Sequence, residues 1–305
     1  MKRVKAEADV AVKKLVCTAI MAGLISALGG ALSPAQAEGE SGVRLRYDIY
    51  VGGVHLLDGR IDMAQDAKTY TGVLKLEGRG LASLFGKWEM EARTAGLVPD
   101  SAPLRPLAYR MRRDGKERWR IREFDWAADG TMTRQRSAKK YGDKSLIRLP
   151  AEHVKGSIDT VTAFAQMMHQ MAQTGSCDAV LPLYDGKRRF DITMSKGETV
   201  PLKLSGYKGD SLQCKSRFKP VAGFEGDDDG GGIWGSLSDP KAEALPMWMA
   251  KPDGLPHPVP VKFQMETERG LINAVLRSSD KLDPKRAAAL LKSAPKPLPA
   301  PKAEE

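Results

Sequence analysis

The fold is decided by the stretch VRLRYDIYVGG at residues 43–53. Its side chains at positions 43, 45, 47, 49 and 51 are apolar or aromatic and alternate with Arg44, Arg46, Asp48 and Tyr50. This period of two is typical of a half-buried β-strand. Because the pair Gly52-Gly53 follows at once, the stretch predicts the first strand and turn of an antiparallel hairpin.

Strand-like runs continue outward from this hairpin on both sides of one helix. The helix is predicted from the apolar stripe Val161, Phe164, Met168 and Met171, with Ser157 or Asp159 at its start and Gly175 at its end. The predicted strands are residues 54–63, 69–76, 87–94, 107–112 and 116–124 before the helix, and 179–184, 187–194, 200–207, 211–218, 259–268 and 271–277 after it. The predicted fold class is mainly β: one curved antiparallel sheet, an open barrel or β-spiral, that wraps one amphipathic helix.

The N-terminus predicts export. Lys13-Lys14, an apolar run over residues 15–28 and the site Ala35-Gln36-Ala37 follow one another in the order of a cleavable secretory signal. We therefore expect residues 1–37 to be removed and the protein to reside in the periplasm, with no transmembrane segment in the mature chain. Residues 38–280 are predicted to form a single β-rich domain, and residues 281–305 a disordered tail rich in Pro, Ala and Lys.

Cleavage would remove Cys17 and leave Cys177 and Cys214 as an even pair in an oxidising compartment. We predict that these two cysteines form a disulfide; the alternative is a pair of buried free thiols. No metal site is predicted at the cysteines, because no histidine stands at zinc-ligand spacing from either of them.

Positive charge is concentrated in one part of the chain. The full sequence carries a formal charge of +10, and residues 105–140 contain twelve Lys or Arg against five Asp or Glu. Export excludes nucleic acid as the expected partner of this stretch. The candidate ligand-binding side chains here form a predicted arginine ladder of Arg110, Arg112, Arg118, Arg120 and Arg122.

The hairpin inside this basic stretch can be given a register from side-chain chemistry. A three-residue loop of residues 113–115 would pair Tyr109 with Trp119 and would set Arg110 opposite Arg118 and Arg112 opposite Lys116. Opposed like charges weaken a sheet, so an anionic group should compensate them. The candidates are Glu89 and Glu91 of the neighbouring strand, or an external anion.

Five aromatic side chains are predicted to face inward from five different strands, namely Tyr47, Tyr70, Trp88, Tyr109 and Trp119. One interpretation is that they are simply core. The other is that they line a cleft for an acyl chain or another apolar envelope molecule, with the arginine ladder near an anionic head group.

No catalytic motif, cofactor-binding fingerprint or metal-ligand pattern is recognisable, and the four histidines are scattered. The acidic run 227–229 lacks the alternating spacing of a calcium loop and favours a mobile acidic loop. We therefore expect a non-catalytic envelope protein that binds an envelope lipid, a glycan or another envelope protein. The alternatives are a purely structural protein of envelope integrity and, less favoured, an envelope-modifying hydrolase. The sequence gives no indication of oligomeric state.

Several segments resemble an exported bacterial family known as domain of unknown function 3108. They are Gly156-Ser157-Ile158-Asp159-Thr160-Val161, Cys177, Asp185-Gly186-Lys187-Arg188-Arg189-Phe190-Asp191, Cys214, Pro220-Val221-Ala222-Gly223-Phe224 and Pro258-Val259-Pro260-Val261. The resemblance runs over about residues 43–280 and implies an exported envelope protein without assigned catalytic residues. A more distant architectural likeness is to the lipoprotein-carrier superfamily and to periplasmic β-spiral envelope-integrity proteins.

Overall fold

A computed structural model describes residues 41–80, 87–116, 118–139, 149–224, 244–267, 270–296 and 298. The predicted signal at residues 1–37 and the acidic run 227–229 lie outside these residues. The described chain forms thirteen strands and three helices. The strands are β1 (Ser41–Val51), β2 (Val54–Gln65), β3 (Thr69–Gly78), β4 (Glu89–Leu97), β5 (Arg105–Asp114), β6 (Trp119–Trp126), β7 (Met132–Lys139), β8 (Ala179–Tyr184), β9 (Arg189–Lys203), β10 (Lys208–Ala222), β11 (Leu245–Ala250), β12 (Val259–Met265) and β13 (Ile272–Lys281). The helices are α1 (Ala151–Val154), α2 (Thr160–Thr174) and α3 (Pro284–Leu291).

All thirteen strands belong to one antiparallel sheet with the order β7-β6-β5-β4-β3-β2-β1-β13-β12-β11-β10-β9-β8. Consecutive strands are neighbours in the sheet, except that β7 and β8 form its two opposite edges, and the first strand, β1, pairs with the last, β13, at its centre. The predicted fold class, a curved open sheet that wraps one helix and carries a disulfide, is confirmed. The strands that the sequence analysis did not predict are β7 and β11, and β9 is continuous where two strands were expected.

Helix α2 packs on one face of the sheet, which we call the inner face. Its N-cap is Asp159, one of the two residues predicted for this position. One oxygen of the Asp159 carboxylate accepts the N–H groups of Val161 and Thr162, each at 2.9 Å. The other oxygen accepts the hydroxyl groups of Thr162 at 2.6 Å and of Thr94 at 2.9 Å. The helix ends at Gly175, whose φ of 65° is left-handed. The capping carboxylate thus fastens the helix to β4.

A close approach between helix and sheet depends on Gly72 in β3. A Cβ atom there would lie 2.7 Å from Val161 of α2 and 2.6 Å from the sulfur of Met63. Any larger residue would therefore push the helix away from the sheet.

The predicted disulfide is present. Cys177 and Cys214 are bonded with their Cα atoms 6.2 Å apart, and both side chains are buried. The bond joins the chain just after α2 to β10 and so ties the helix to the second half of the sheet. Among the helices of the described ranges, none is long and apolar enough to cross a membrane.

The predicted register of the β5–β6 hairpin is wrong. The strands pair from Asp114 opposite Trp119, so the loop spans residues 115–118 instead of 113–115. This register puts Tyr109 opposite Phe124, with ring centroids 5.5 Å apart and stacked, and Arg110 opposite Glu123. It therefore matches two rings on one face and one pair of opposite charges on the other, but it also sets Arg113 opposite Arg120 on the face of the rings.

The prediction of a disordered tail over residues 281–305 is wrong for the part that the structure describes. Helix α3 begins after Asp283, whose carboxylate accepts the N–H of Arg286 at 2.9 Å, and has Pro284 at its first position. Ala287 of α3 is fully buried on the outer face of the sheet, beside Gly42. Asp-Pro is a helix-start signal that the Pro, Ala and Lys composition obscured.

Candidate functional site

The two halves of the sheet meet on the inner face, where the turn between β8 and β9 contacts β6 and β7. The amide of Gln135 donates to the Tyr184 hydroxyl at 2.8 Å and to the Gly186 carbonyl at 3.3 Å. The rings of Phe124 and Tyr184 are 5.3 Å apart. We call this contact the seam, because side chains rather than strand pairing close the barrel-like sheet there.

The seam turn is shaped by Asp185 and Gly186. One oxygen of the Asp185 carboxylate accepts the N–H groups of Lys187 and Arg188, each at 2.8 Å. Gly186 has a φ of 93°, and a Cβ atom at this position would lie 2.9 Å from the ring of Phe124 and 3.2 Å from the side chain of Arg122. Only glycine therefore allows both the conformation and the close approach.

Four guanidinium groups converge beside the seam, and we call Arg113, Arg120, Arg122 and Arg188 the arginine cluster. Arg113 and Arg120 stand directly opposite each other across β5 and β6. Arg122 donates to the carbonyl of Asp185 and lies 3.7 Å from its carboxylate. Arg188 lies 4.0 Å from the same carboxylate. One acidic side chain thus faces several guanidinium groups.

The positive charges of the cluster are incompletely compensated. Among the described residues, no carboxylate lies within ion-pair distance of Arg113 or Arg120, and the Nε atom of Arg122 is buried without a hydrogen-bond partner. Burial, and then Arg122 and Arg118, lowers the pKa of Arg113. Burial, and then Arg122 and Arg113, lowers the pKa of Arg120. Since guanidinium stays protonated near neutral pH, these shifts express an electrostatic cost that a bound anion would relieve.

A cleft of about 400 Å³ adjoins the cluster and is lined by Trp88, Arg113, Gly115, Lys116 and Arg118. Trp88 is half-buried and continues the inward-facing row of Met90 and Ala92 on β4. The cleft therefore combines an indole ring with the cationic groups of the β5–β6 loop. Such a surface can hold an anionic group together with an apolar or planar neighbour.

The predicted arginine ladder does not form one row. Arg120 and Arg122 belong to the cluster, and Arg118 lines the adjoining cleft. Arg110 lies on the opposite, outer face, where it is buried and bonded to Asp125 at 2.6 Å. Arg112 also points outward and pairs with Asp114 at 2.7 Å. The ladder failed because it depended on the wrong register, and Arg110 is compensated by β6 rather than by Glu89 or Glu91.

The five aromatic residues that were predicted to share one face lie in three different environments. Tyr47, Tyr70 and Tyr109 are buried core residues, so a cleft lining is wrong for these three. The hydroxyl of Tyr47 donates to the Pro260 carbonyl at 2.8 Å, and that of Tyr70 lies 2.7 Å from the hydroxyl of Thr162 in α2. Trp119 points to the outer face, opposite Asp114, because of the corrected register. Trp88 alone among the five lies at the described cleft.

Sequence reasoning missed three members of the site, namely Arg113, Asp185 and Arg188. Arg113 had been placed in the loop, and the other two follow the end of β6 by 59 and 62 positions in the chain. The Asp-Gly-Lys turn was noticed only as part of the family resemblance. The cations at positions 187–189 could have indicated a second basic segment, but they do not indicate that this segment contacts the basic stretch 105–140.

A second group of titratable side chains lies on the outer face of β1 and β2. Asp48, His55 and Asp58 each offer one ligand atom within 4.8 Å of the others, so His55 is not isolated as the sequence indicated. However, Arg277 lies 3.1 Å from Asp48, and Arg79 lies 2.6 Å from Asp58. Two guanidinium groups thus balance the two carboxylates, and we assign no metal to this group.

Fold and site together define a class of protein: an open antiparallel β-sheet closed around one helix by a side-chain seam, with a disulfide and an arginine cluster beside the seam. The chain belongs to the family described as "Protein of unknown function (DUF3108)", which matches residues 46–277. The family resemblance drawn from the sequence is thereby confirmed.

Comparison with solved structures finds the crystal structure of a beta-barrel-like protein of domain of unknown function DUF1849 from Brucella abortus. The sequence identity is 11%, the TM-score is 0.43, and the match covers 80% of this chain and 98% of that one. No curated protein matches the chain.

Proposed function

We propose that this protein is an exported, non-catalytic envelope protein that binds a phosphate- or carboxylate-bearing envelope molecule at the arginine cluster. The observation that carries the proposal is the direct opposition of Arg113 and Arg120, half-buried and without a carboxylate partner in the described chain. Elsewhere in the sheet, the buried Arg110 is compensated by two acidic side chains. A bound anion would give the cluster the same balance.

The chemistry of the cluster favours binding over catalysis. Guanidinium groups cannot act as general acids, general bases or nucleophiles near neutral pH, but they recognise phosphate and carboxylate by paired N–H donors. The carboxylate of Asp185 accepts two backbone N–H groups that fix the turn, so its role is structural. Export is supported by the order of basic, apolar and small residues over 13–37 and by the disulfide.

The anionic group could belong to a lipid head group or to a soluble phosphorylated molecule. The test therefore has two arms: titration calorimetry with inorganic pyrophosphate, and co-sedimentation with phosphatidylcholine vesicles that contain or lack phosphatidylglycerol. Binding in either arm supports the cluster as an anion site, and a strong preference for the vesicles assigns the lipid source.

The decisive variant is Arg113→Gln with Arg120→Gln, which should weaken binding tenfold or more, since hydrogen bonds to charged groups are worth about 1.5–3 kcal/mol. The matched control is Arg217→Gln with Lys219→Gln, which removes two exposed positive charges from β10. Absence of binding in both arms, or equal losses in the two double variants, would refute the proposal. Arg110→Glu is unsuitable as a test, because Arg110 is part of a buried ion-pair network.

A further inference from the structure

Strand β7 continues the inner face of the sheet beside the arginine cluster. Gln135 of the seam lies on this face, and because side chains alternate along a strand, Ser137 and Lys139 lie on it too. Both residues stand opposite members of the arginine cluster on β6. They therefore enlarge the set of hydrogen-bond donors that faces inward.

Lys139 extends the opposed positive charges to a third strand. It stands directly opposite Arg120, which in turn stands opposite Arg113. The ion pairs of β7 are made by Arg134 and Arg136 on the outer face. Within the described ranges, no carboxylate lies within ion-pair distance of Lys139, as is also true of Arg113 and Arg120. Three cations on adjacent strands are thus uncompensated.

The next inward-facing positions on β6 and β7 hold two polar atoms without a partner. Ser137 stands directly opposite Arg122. The hydroxyl oxygen of Ser137 and the Nε atom of Arg122 are buried, and among the residues that the structure describes neither finds a hydrogen-bond partner. We call these two atoms the donor pair. Because nearly all buried polar groups in proteins are satisfied, two such donors side by side indicate an acceptor from outside the chain.

The uncompensated cations and the donor pair form two adjacent places for anionic groups. The first place lies over β5 and β6, where Arg113 opposes Arg120. The second lies over β6 and β7, where Lys139 follows the donor pair along the strand. Neighbouring strands are about 4.8 Å apart, so two linked phosphate groups of one molecule can face both places. A single phosphate monoester carries a charge of about −1.5 to −2 and leaves at least one of the three cations unbalanced.

We infer that the anion site selects a ligand with two linked phosphate groups over a ligand with a single phosphate. The inference rests on the proposed function and specifies the ligand class of the same site. One phosphate group accepts from Arg113 and Arg120, and the other accepts from Lys139 and the donor pair. The remainder of the ligand lies toward the cleft beside Trp88.

The test is titration calorimetry of the full chain with isopentenyl phosphate and isopentenyl diphosphate, which share one alkyl group and differ by one phosphate group. The wild type should bind the diphosphate roughly tenfold or more tightly, because the second phosphate gains charge-assisted hydrogen bonds. Ser137→Ala with Lys139→Gln should weaken binding of the diphosphate about tenfold and change that of the monophosphate by less than about threefold. Since the Ser137 hydroxyl has no partner in the described chain, Ser137→Ala alone should leave the melting temperature unchanged.

The matched control is Ser211→Ala with Lys203→Gln, on β10 and β9. The Ser211 side chain is buried and its hydroxyl donates to the carbonyl of Val200 at 3.0 Å, whereas Lys203 is exposed. This control should lose stability but keep the preference for the diphosphate. It therefore separates a change in ligand preference from a change in stability.

Two outcomes overturn the inference. In the first, the wild type binds both ligands within about threefold of each other. In the second, Ser137→Ala with Lys139→Gln keeps the full preference, which means that the donor pair holds only water. Binding of the monophosphate alongside either outcome leaves the proposed anion site intact, whereas absence of binding by both ligands contradicts the proposed function as well.

Discussion

Replacing Arg120 by Gln should make the ligand-free protein more stable while weakening its affinity for anions. Arg120 faces Arg113 across β5 and β6, and Arg122 adds a further positive charge. Opposed like charges in a sheet cost about 0.2–1 kcal/mol. Gln keeps most of the side-chain length and its hydrogen-bonding capacity but removes the charge. We expect the free energy of unfolding to rise by about 0.5–1 kcal/mol.

For a domain of this size, such a gain raises the melting temperature by roughly 1–4 °C. Thermal unfolding should be followed by circular dichroism at low ionic strength, where screening is weakest. Pyrophosphate should raise the melting temperature of the wild type and should have a smaller effect on Arg120→Gln, because ligand binding stabilises only the state that binds. The control is Arg217→Gln, an exposed charge on β10.

The reasoning fails if Arg120→Gln is less stable than the wild type. It also fails if the variant and the wild type gain equal stability from pyrophosphate. Stability and binding that move in opposite directions are typical of functional sites, and a purely structural role for these arginines predicts that they move together.

The remaining predictions concern the disulfide, the helix cap, the seam and the N-terminus. Cys177→Ser should lower the melting temperature by several degrees, as the 37-residue separation corresponds to at most about 4 kcal/mol, and calorimetry of the oxidised and mutant proteins checks it. Burial raises the pKa of Asp159 in the folded state. Protonation of this carboxyl group therefore stabilises the fold fully below the ordinary pKa of 3.8, and this stabilisation is lost as the pH rises through the folded pKa. Urea unfolding from pH 3 upward should show a smaller decline in the free energy of unfolding for Asp159→Asn than for the wild type. Gly186→Ala should destabilise the protein by about 2–4 kcal/mol, because it adds both backbone strain and a clash with Phe124. The control is Gly254→Ala, where φ is also positive but no atom lies within 4 Å of the added Cβ, so that only strain of about 1–2 kcal/mol is expected. Urea unfolding of the two variants measures the difference. Mass spectrometry of the periplasmic fraction should find a mature chain that begins at Glu38, and intact Met1 on cytosolic material would contradict it.

Periodicity was sufficient to predict the class of fold. The alternation at residues 43–51 and the stripe of α2 are local patterns, and the structure contains both elements within two residues of the predicted bounds. Asp159 and Gly175 were recognisable because caps follow from the chemistry of a helix end. The cysteine pair followed from counting alone.

The candidate site was harder to predict from the sequence, because it depends on strand register and on contacts between residues that are far apart in the chain. The predicted loop had three residues, whereas the actual loop spans residues 115–118. Arg113 therefore lies in β5 on the inner face and not in the turn, and Trp119 lies on the outer face. The seam joins Arg122 of β6 to Asp185, 63 positions further along the chain, and no strand pairing among the described residues connects β6 with that turn. No local pattern specifies that contact, whereas the basic stretch 105–140 contains three of the four arginines of the cluster.

The pairing of β1 with β13 has a consequence for the order in which the sheet can form. Arg44 pairs with Asp280, so the central ladder of the sheet joins the first strand to the last. Closing a loop of this length costs about 3.5–4 kcal/mol more than closing a tight hairpin, before any bond of the ladder forms. Strands β1–β7 and strands β8–β13 can each assemble by pairing consecutive strands, but the two halves can pair only after β13 is available. Until β13 pairs with β1, one edge of β1 is unsatisfied, and a chaperone that shields this edge would protect the protein from aggregation.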